Sequence, residues 1–428
     1  MSRLDEYSFS DLYNITSGLS STKDQSGHGA PFVSFGTVFN NIFLPDELPD
    51  LMDTSEKEQE TYSVKKGDIF LTRTSETVDE LAMSSVSLTD YPKATYSGFV
   101  KRLRPKTTNI TYDRFMAFYL RSKYFRKVIE NNTIMTLRAS FNEDIFSFLK
   151  LYLPDYSEQV KIGDLLYSIE CKVQNNKKIN DNLQQQLRLL YDYWFTQFDF
   201  PDEHGNPYCA SGGEMIWNEQ LKQRIPVGWT VDHVGKCVER IATGLNPRNN
   251  FTLGGGAIKY ITVKNLTSSG AIDFSNCDTI DESARIMIHR RSDIRTGDIL
   301  FASIAPLGRC HLIQEDPQTW DINESVFSIR ANTSATTSEY LYAFFTGESF
   351  VKSATNSSTG SIFKGIRINT LLDSKMIIPP LEVAERFSDT VRNLMSVNSV
   401  NMHETECLTA IRDWLLPMLM NGQATIAD

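Results

Sequence analysis

Cys310 and His311 stand side by side, a thiol and an imidazole, the residue types of a nucleophile and its base. Adjacent residues on a strand point to opposite faces, so on a strand this pair does not meet. The other candidates for chemistry fail on spacing. Six cysteines (171, 209, 237, 277, 310, 407) never form C-x-x-C, and six histidines (28, 204, 233, 289, 311, 403) show neither H-x-x-x-H nor H-E-x-x-H, so no close set of zinc ligands is expected. Gly254-Gly255-Gly256 precedes a strand and lacks the Gly-Lys-Ser/Thr ending of a phosphate loop. Asn206-Pro207-Tyr208 lacks the second proline of the Asn-Pro-Pro-aromatic tetrapeptide that amino-methyltransferases use. The carboxylates show no nuclease spacing. The chain reads as non-catalytic, with no cofactor or metal of its own.

Binding chemistry is better represented. The net charge of −10 argues against a general polyanion binder, but the charge is unevenly spread. Residues 1–92 hold 6 basic and 16 acidic side chains, whereas residues 93–138 hold 11 basic ones against Asp113 and Glu130. Such a local excess suits phosphate contacts; a solvated helix face is the competing reading.

The elements that must carry these residues come in two copies. Ile15-Thr16-Ser17-Gly18-Leu19 is echoed by Ile241-Ala242-Thr243-Gly244-Leu245 at an offset of 226, and Lys66-Gly67-Asp68-Ile69 by Thr296-Gly297-Asp298-Ile299 at 230. Phe118-Tyr119 with Tyr124-Phe125-Arg126, Leu153-Pro154-Asp155 and Asp192-Tyr193 find counterparts in the same order. A chain of 428 residues thus divides into two units of roughly 225 residues, each within the usual domain range. In each, Phe32-Val33-Ser34-Phe35 or Tyr260-Ile261-Thr262-Val263 reads as a strand, and the Gly-Asp-Ile motif as a turn entering a buried strand. Helical stretches come next, around 111–130 and 338–353. No apolar run approaches the roughly 18 residues of a membrane span, and no secretory signal is expected, so the six thiols read as free in a reducing cytoplasm.

A long helix closes each copy. Ile162, Leu166, Ile169, Val173, Asn176, Asn180, Leu183, Leu187, Leu190 and Trp194 alternate at spacings of four and three, and Phe387, Val391, Leu394, Asn398, Asn401, Leu408 and Leu415 continue the rhythm. The two seams predict an antiparallel coiled-coil pair, with Asn176, Asn180, Asn398 and Asn401 fixing its register, because an amide facing an amide is tolerated where a lone one is not. The competing arrangement packs each helix on its own globular unit.

At this point the sequence resembles the specificity (S) subunits of Type I restriction-modification systems. The resemblance rests on Leu151-Tyr152-Leu153-Pro154 through Gln159, Lys178 to Leu183, Tyr191-Asp192-Tyr193-Trp194-Phe195, Gly212 to Trp217 and Ile225-Pro226-Val227-Gly228-Trp229. It continues with Ile377-Ile378-Pro379-Pro380-Leu381 and Arg412 to Pro417, and departs at Glu385-Arg386, where the family has Glu-Gln. It implies an α+β chain of two target-recognition domains in pseudo-twofold repeat, 1–153 and 201–378, joined by antiparallel spacer helices 154–200 and 379–428. It further implies a non-catalytic reader of double-stranded DNA that recruits two modification (methyltransferase) subunits and restriction subunits in the cytoplasm. S-adenosylmethionine, ATP and Mg belong to those partners, and no membrane is involved.

A DNA reader needs cations on phosphates and short polar or Arg side chains on base edges. Lys101, Arg102, Arg104 and Lys106 are the expected phosphate contacts. Arg73-Thr74-Ser75, after the Gly-Asp-Ile strand, and its equivalent from Ser303 to Arg309 are the expected readers. Thr133 to Arg138 and Ser357 to Lys364, including Ser361, come second; ordinary surface turns are the alternative for each. A coiled-coil adaptor without DNA, or an enzyme with an unfamiliar site, remain the competing functions.

If the helices set the distance between half-sites, they act as a ruler. The stretch 157–197 is on the order of 60 Å long, and four residues inserted near Asn176 add roughly 6 Å and turn the far end only about 40° beyond a full turn. Methylation mapping of the insertion protein should find both half-site sequences unchanged and the gap lengthened by about one or two base pairs, each about 3.4 Å. An unchanged gap in a protein that still directs methylation excludes the ruler.

Overall fold

The computed structural model describes residues 3–75, 80–132, 139–141, 143–357 and 365–426. They form two compact units, Met1–Val173 with Cys407–Asp428, and Gln174–Glu406. This division falls inside both long helices, whereas the sequence suggested boundaries at their ends.

In unit 1 the central sheet holds β1 (Tyr13–Ser17), β2 (Ile69–Thr72), β3 (Ser84–Val86) and β4 (Val100–Pro105) in the order β1-β4-β2-β3, all antiparallel. In unit 2 β5 (Val238–Thr243), β6 (Ile299–Ala302), β7 (Cys310–Leu312) and β8 (Val326–Ala331) take the corresponding order β5-β8-β6-β7. A three-stranded sheet accompanies each: Asp50–Met52, Ser26–Val33 and Thr95–Tyr96 in one, Asp278–Ile280, Ile258–Ile261 and Trp320–Ile322 in the other, with the second pair parallel in both. A two-stranded ribbon completes the match, Asp5–Ser8 with Lys150–Leu153 and Thr230–His233 with Lys375–Ile378. The sequence repeat is therefore a repeat of topology.

Two expected elements are cut short. The strands through Phe32 and Tyr260 end at Val33 and Ile261, because the next residue caps a short helix: Ser34 Oγ accepts from Thr37 N, and Thr262 and Asn265 form a reciprocal capping box. The stretches near 111–130 and 338–353 each resolve into two helices, Asp113–Tyr119 with Lys123–Asn132 and Ser338–Thr346 with Glu348–Ser357.

The long helices are α1 (Tyr156–Tyr191), continued by a π-helical turn Asp192–Thr196, and α2 (Leu381–Met420). Within unit 1, Ile162 and Leu166 of α1 and Leu419 and Met420 of α2 enter one core with Phe9, Phe115 and Leu151. Within unit 2, Leu187 of α1 and Ala384, Phe387, Val391 and Met395 of α2 join Phe301, Tyr340 and Phe345. The seam drifts by one residue in places: Glu170, Gln184 and Met395 are buried where Ile169, Leu183 and Leu394 were expected. Glu170 answers Arg412 at 2.6 Å in unit 1, and Gln184 accepts from Tyr342 in unit 2. Among the described residues no helix is long and apolar enough to cross a membrane.

The repeated Gly-Asp motif locks each central sheet. Gly67 and Gly297 turn the chain at φ +82° and +88°, a left-handed conformation that favours glycine. The following Asp68 and Asp298 have 0% and 1% of their surface exposed. Arg104 on β4 grips Asp68 with Nε to Oδ1 at 2.7 Å and Nη2 to Oδ2 at 2.6 Å; Arg330 on β8 grips Asp298 at 2.8 and 2.9 Å. The backbone N–H groups of Lys65 and Arg295 donate to the same carboxylates. Removing one partner of such a pair strands a buried charge, at about 3–5 kcal/mol. Arg104→Ala and Arg330→Ala should each lower stability by about 3 kcal/mol in chemical denaturation, while Lys106→Ala, which truncates an exposed side chain, leaves it unchanged.

Candidate nucleic-acid interface

The strand ends farthest from the Gly-Asp turns form a rim on each unit. In unit 1 this rim joins the residues after β1, the turn Ser97-Gly98-Phe99 before β4, and Arg73 after β2. The glycine of the repeated Gly-Leu motif permits the junction, because a Cβ on Gly18 would overlap the carbonyl oxygen of Ser97 and one on Gly244 that of Ile322. Leu19 N donates to Tyr96 O at 2.8 Å and Gly98 N to Leu19 O at 2.7 Å.

Hydrogen bonds set the equivalence between rims. Arg73 N donates to Phe99 O, and Ser303 N to Ser325 O; Phe141 N donates to Arg73 O, and Ile366 N to Ser303 O. Arg73, Gly98 and Phe99 thus correspond to Ser303, Glu324 and Ser325. Each first loop meets the residues that directly follow the second expected segment: Thr74 and Ser75 pair with Ser140 and Ala139, and Ile304 bridges to Gly365. Arg138, Ser361 and Lys364 themselves lie outside the described residues.

The side chains on these rims differ. Arg73 is exposed, with Nη1 donating to Gly98 O at 3.4 Å, and Phe99 is 64% exposed. Thr74 is half-buried, and Ser75 is buried with Oγ donating to Glu80 at 3.4 Å. Ser303 is buried and donates to Ser325 O at 2.7 Å; Arg309 is half-buried and donates to Leu266 O. The arrangement presents a guanidinium and an aromatic ring in unit 1, and in unit 2 the exposed carboxylate of Glu324 with the half-buried hydroxyl of Ser325.

The basic cluster is placed differently from expectation. Lys101 is buried with Nζ donating to Ser17 Oγ, Arg102 is buried under Tyr96 and donates to Ser63 O at 2.6 Å, and Arg104 is held by Asp68. Arg114 pairs with Asp164, and Arg121 donates to the carbonyls of Val38, Phe39, Asn41 and Ser84, where burial lowers its pKa to about 10. Folding thus spends Arg102, Arg104, Arg114 and Arg121 on carbonyls and carboxylates, and of the four expected phosphate contacts Lys106 is the exposed one. In unit 2 Arg240, Arg285, His289 and Arg290 line a shallow cavity with Asp293 at the Asp298 end of the sheet, and of these Arg290 is the exposed one.

The amides of the helical seam meet within unit 2. Asn401 Nδ2 donates to Asn180 Oδ1 at 3.1 Å, and Asn180 Nδ2 reaches Asn398 O at 3.4 Å. Asn176 instead donates to Glu404 at 2.7 Å.

Cys310 and His311 sit on β7 opposite Phe301 and Leu300. Burial pushes the Cys310 thiol up, away from the nucleophilic thiolate, and the His311 imidazole down, which makes it a weaker base. His311 Nδ1 lies 2.8 Å from Gly270 O, which makes it the donor. Among the described residues no group of three His, Cys, Asp or Glu could hold a metal ion. Because the folded pKa of His311 lies below its unfolded value, the unfolded chain takes up the proton first, and stability falls as the pH drops through the unfolded value near 6.5. Denaturation midpoints should decline between about pH 7 and pH 5, and less steeply in His311→Asn.

Residues 1–185 match the model of the Type I restriction modification DNA specificity domain. The chain is 23% identical over 384 residues to the MjaIX specificity subunit of Methanocaldococcus jannaschii, covering 84% of each protein. It is 22% identical to the HindI specificity subunit of Haemophilus influenzae, covering 99% of this chain and 100% of that one. Its fold is similar to the crystal structure of the Type I restriction-modification S subunit from M. genitalium, with a TM-score of 0.57, 14% identity, and coverage of 98% and 96% of the two chains.

Proposed function

We propose that the chain, similar to the Type I restriction-modification specificity subunits, is a non-catalytic member of that family that reads an asymmetric two-part DNA sequence and directs adenine methylation and restriction by partner subunits. The observation that carries this reading is one scaffold bearing two unlike rims. The same strand order and the same backbone bonds place Arg73 and Phe99 in one unit where the other has Ser303 and Ser325, with Glu324 exposed beside them. Two copies of one framework with different side chains at matched positions suit two different half-sites.

In this reading Arg73 is the base reader of unit 1, since an exposed guanidinium fits O6 and N7 of guanine with two parallel bonds. Thr74 and Ser75 support the loop, and Lys106 meets a phosphate. Ser303 and Arg309 shape the corresponding loop of unit 2. Arg138, Ser361 and Lys364 belong to the second reading segments. The long helices hold the unread gap, with Asn176, Asn180, Asn398 and Asn401 fixing their register. Two methyltransferase subunits, and with them the restriction subunits, supply S-adenosylmethionine, ATP and Mg chemistry.

Methylation sequencing of the host genome tests the reading. One bipartite motif with N6-methyladenine in each half should vanish when the gene is deleted. Arg73→Ala should relax the half-site read by unit 1 alone, at about 1–3 kcal/mol for a lost bidentate contact. A genome whose methylation is indifferent to the gene excludes it.

A further inference from the structure

Phe99 is 64% exposed, yet its neighbours Ser97 and Val100 are buried and its backbone is held on every side. Its N–H donates to Ser97 Oγ at 3.2 Å, its carbonyl accepts from Arg73 N at 2.8 Å, and Gly98 before it is fastened to Leu19 O at 2.7 Å. A Cβ on Gly98 would already press on that same oxygen at 3.0 Å. The turn is therefore built to hold a large apolar ring in water, at the position where unit 2 carries Ser325. Beside it stands Arg73, whose guanidinium has one long bond among the described residues.

We infer that Phe99 is a specificity-determining residue of the half-site read by unit 1, its ring lying against the 5-methyl group of a thymine next to the base bonded by Arg73. The inference rests on the DNA-reading function proposed for the chain. In the major groove, thymine is the base that offers an apolar group, and a ring on a fixed turn meets it with little loss of freedom. A guanidinium alongside supplies the donors that a neighbouring acceptor pair needs. The same position in unit 2 offers a hydroxyl and cannot make this contact, so the thymine preference belongs to one half-site.

The test uses the full chain assembled with its methyltransferase subunits, and DNA selected from a pool randomised in each half-site. Wild type should prefer thymine at one position of the unit 1 half-site. Phe99→Ala should lose that preference, by about fourfold for a contact the size of one methyl group, with the other half-site and the thermal midpoint unchanged. Deoxyuridine at that position should weaken wild type to the same degree and leave Phe99→Ala unaffected. A full set of wild-type preferences in Phe99→Ala, or a change in the other half-site, overturns the inference. A wild-type complex with no sequence preference in either half overturns the function on which it rests.

Discussion

A carboxylate removed from water must recover, from the protein, the bonds that water supplied. Asp68 and Asp298 meet this condition with a two-pronged guanidinium from the strand alongside and a backbone N–H from the turn before them. Because the charge is buried, the arginine is confined to the place opposite it. That ties the start of the middle strand to the end of its neighbour and holds the register of β2 against β4 and β6 against β8. A slip of one residue would reverse every side chain on the strand and separate the pair. The rims at the far ends of these strands inherit their positions from this constraint.

Much of the framework was legible in the sequence because the features that hold it together are short and recur. The Gly-Asp motif needs a left-handed turn and a buried charge, and the Gly-Leu motif needs backbone contact without a Cβ, so both survive in two copies that otherwise differ. The helical seams were legible through their spacing. Their drift at Glu170 and Gln184 was not, since each of these is buried by a partner from far along the chain, Arg412 or Tyr342.

The candidate interface was less legible. A run of cations says how much charge is present, and folding decides where it is spent. Arg121 finds its four carbonyls at residues 37 to 83 positions away, and no local pattern announces them. Phe99 escaped notice for the opposite reason: Tyr-Ser-Gly-Phe-Val reads as the entry to a buried strand, and the one outward residue in it is visible only once the turn is built. The seam amides lie between these cases. Asn180 meets Asn401 as the spacing suggested, whereas Asn176 takes the carboxylate of Glu404, an acceptor that a count of asparagines does not reveal.

The core of unit 1 closes with Leu419 and Met420, which share it with Phe9, Phe115 and Leu151, and Ile426 N donates to Glu158. These side chains leave the ribosome more than two hundred residues after the rest of that core. During synthesis, the core that residues 1–173 begin is therefore completed only after every residue of unit 2, which is contiguous, has been made. The half that is made first is the half that is finished last.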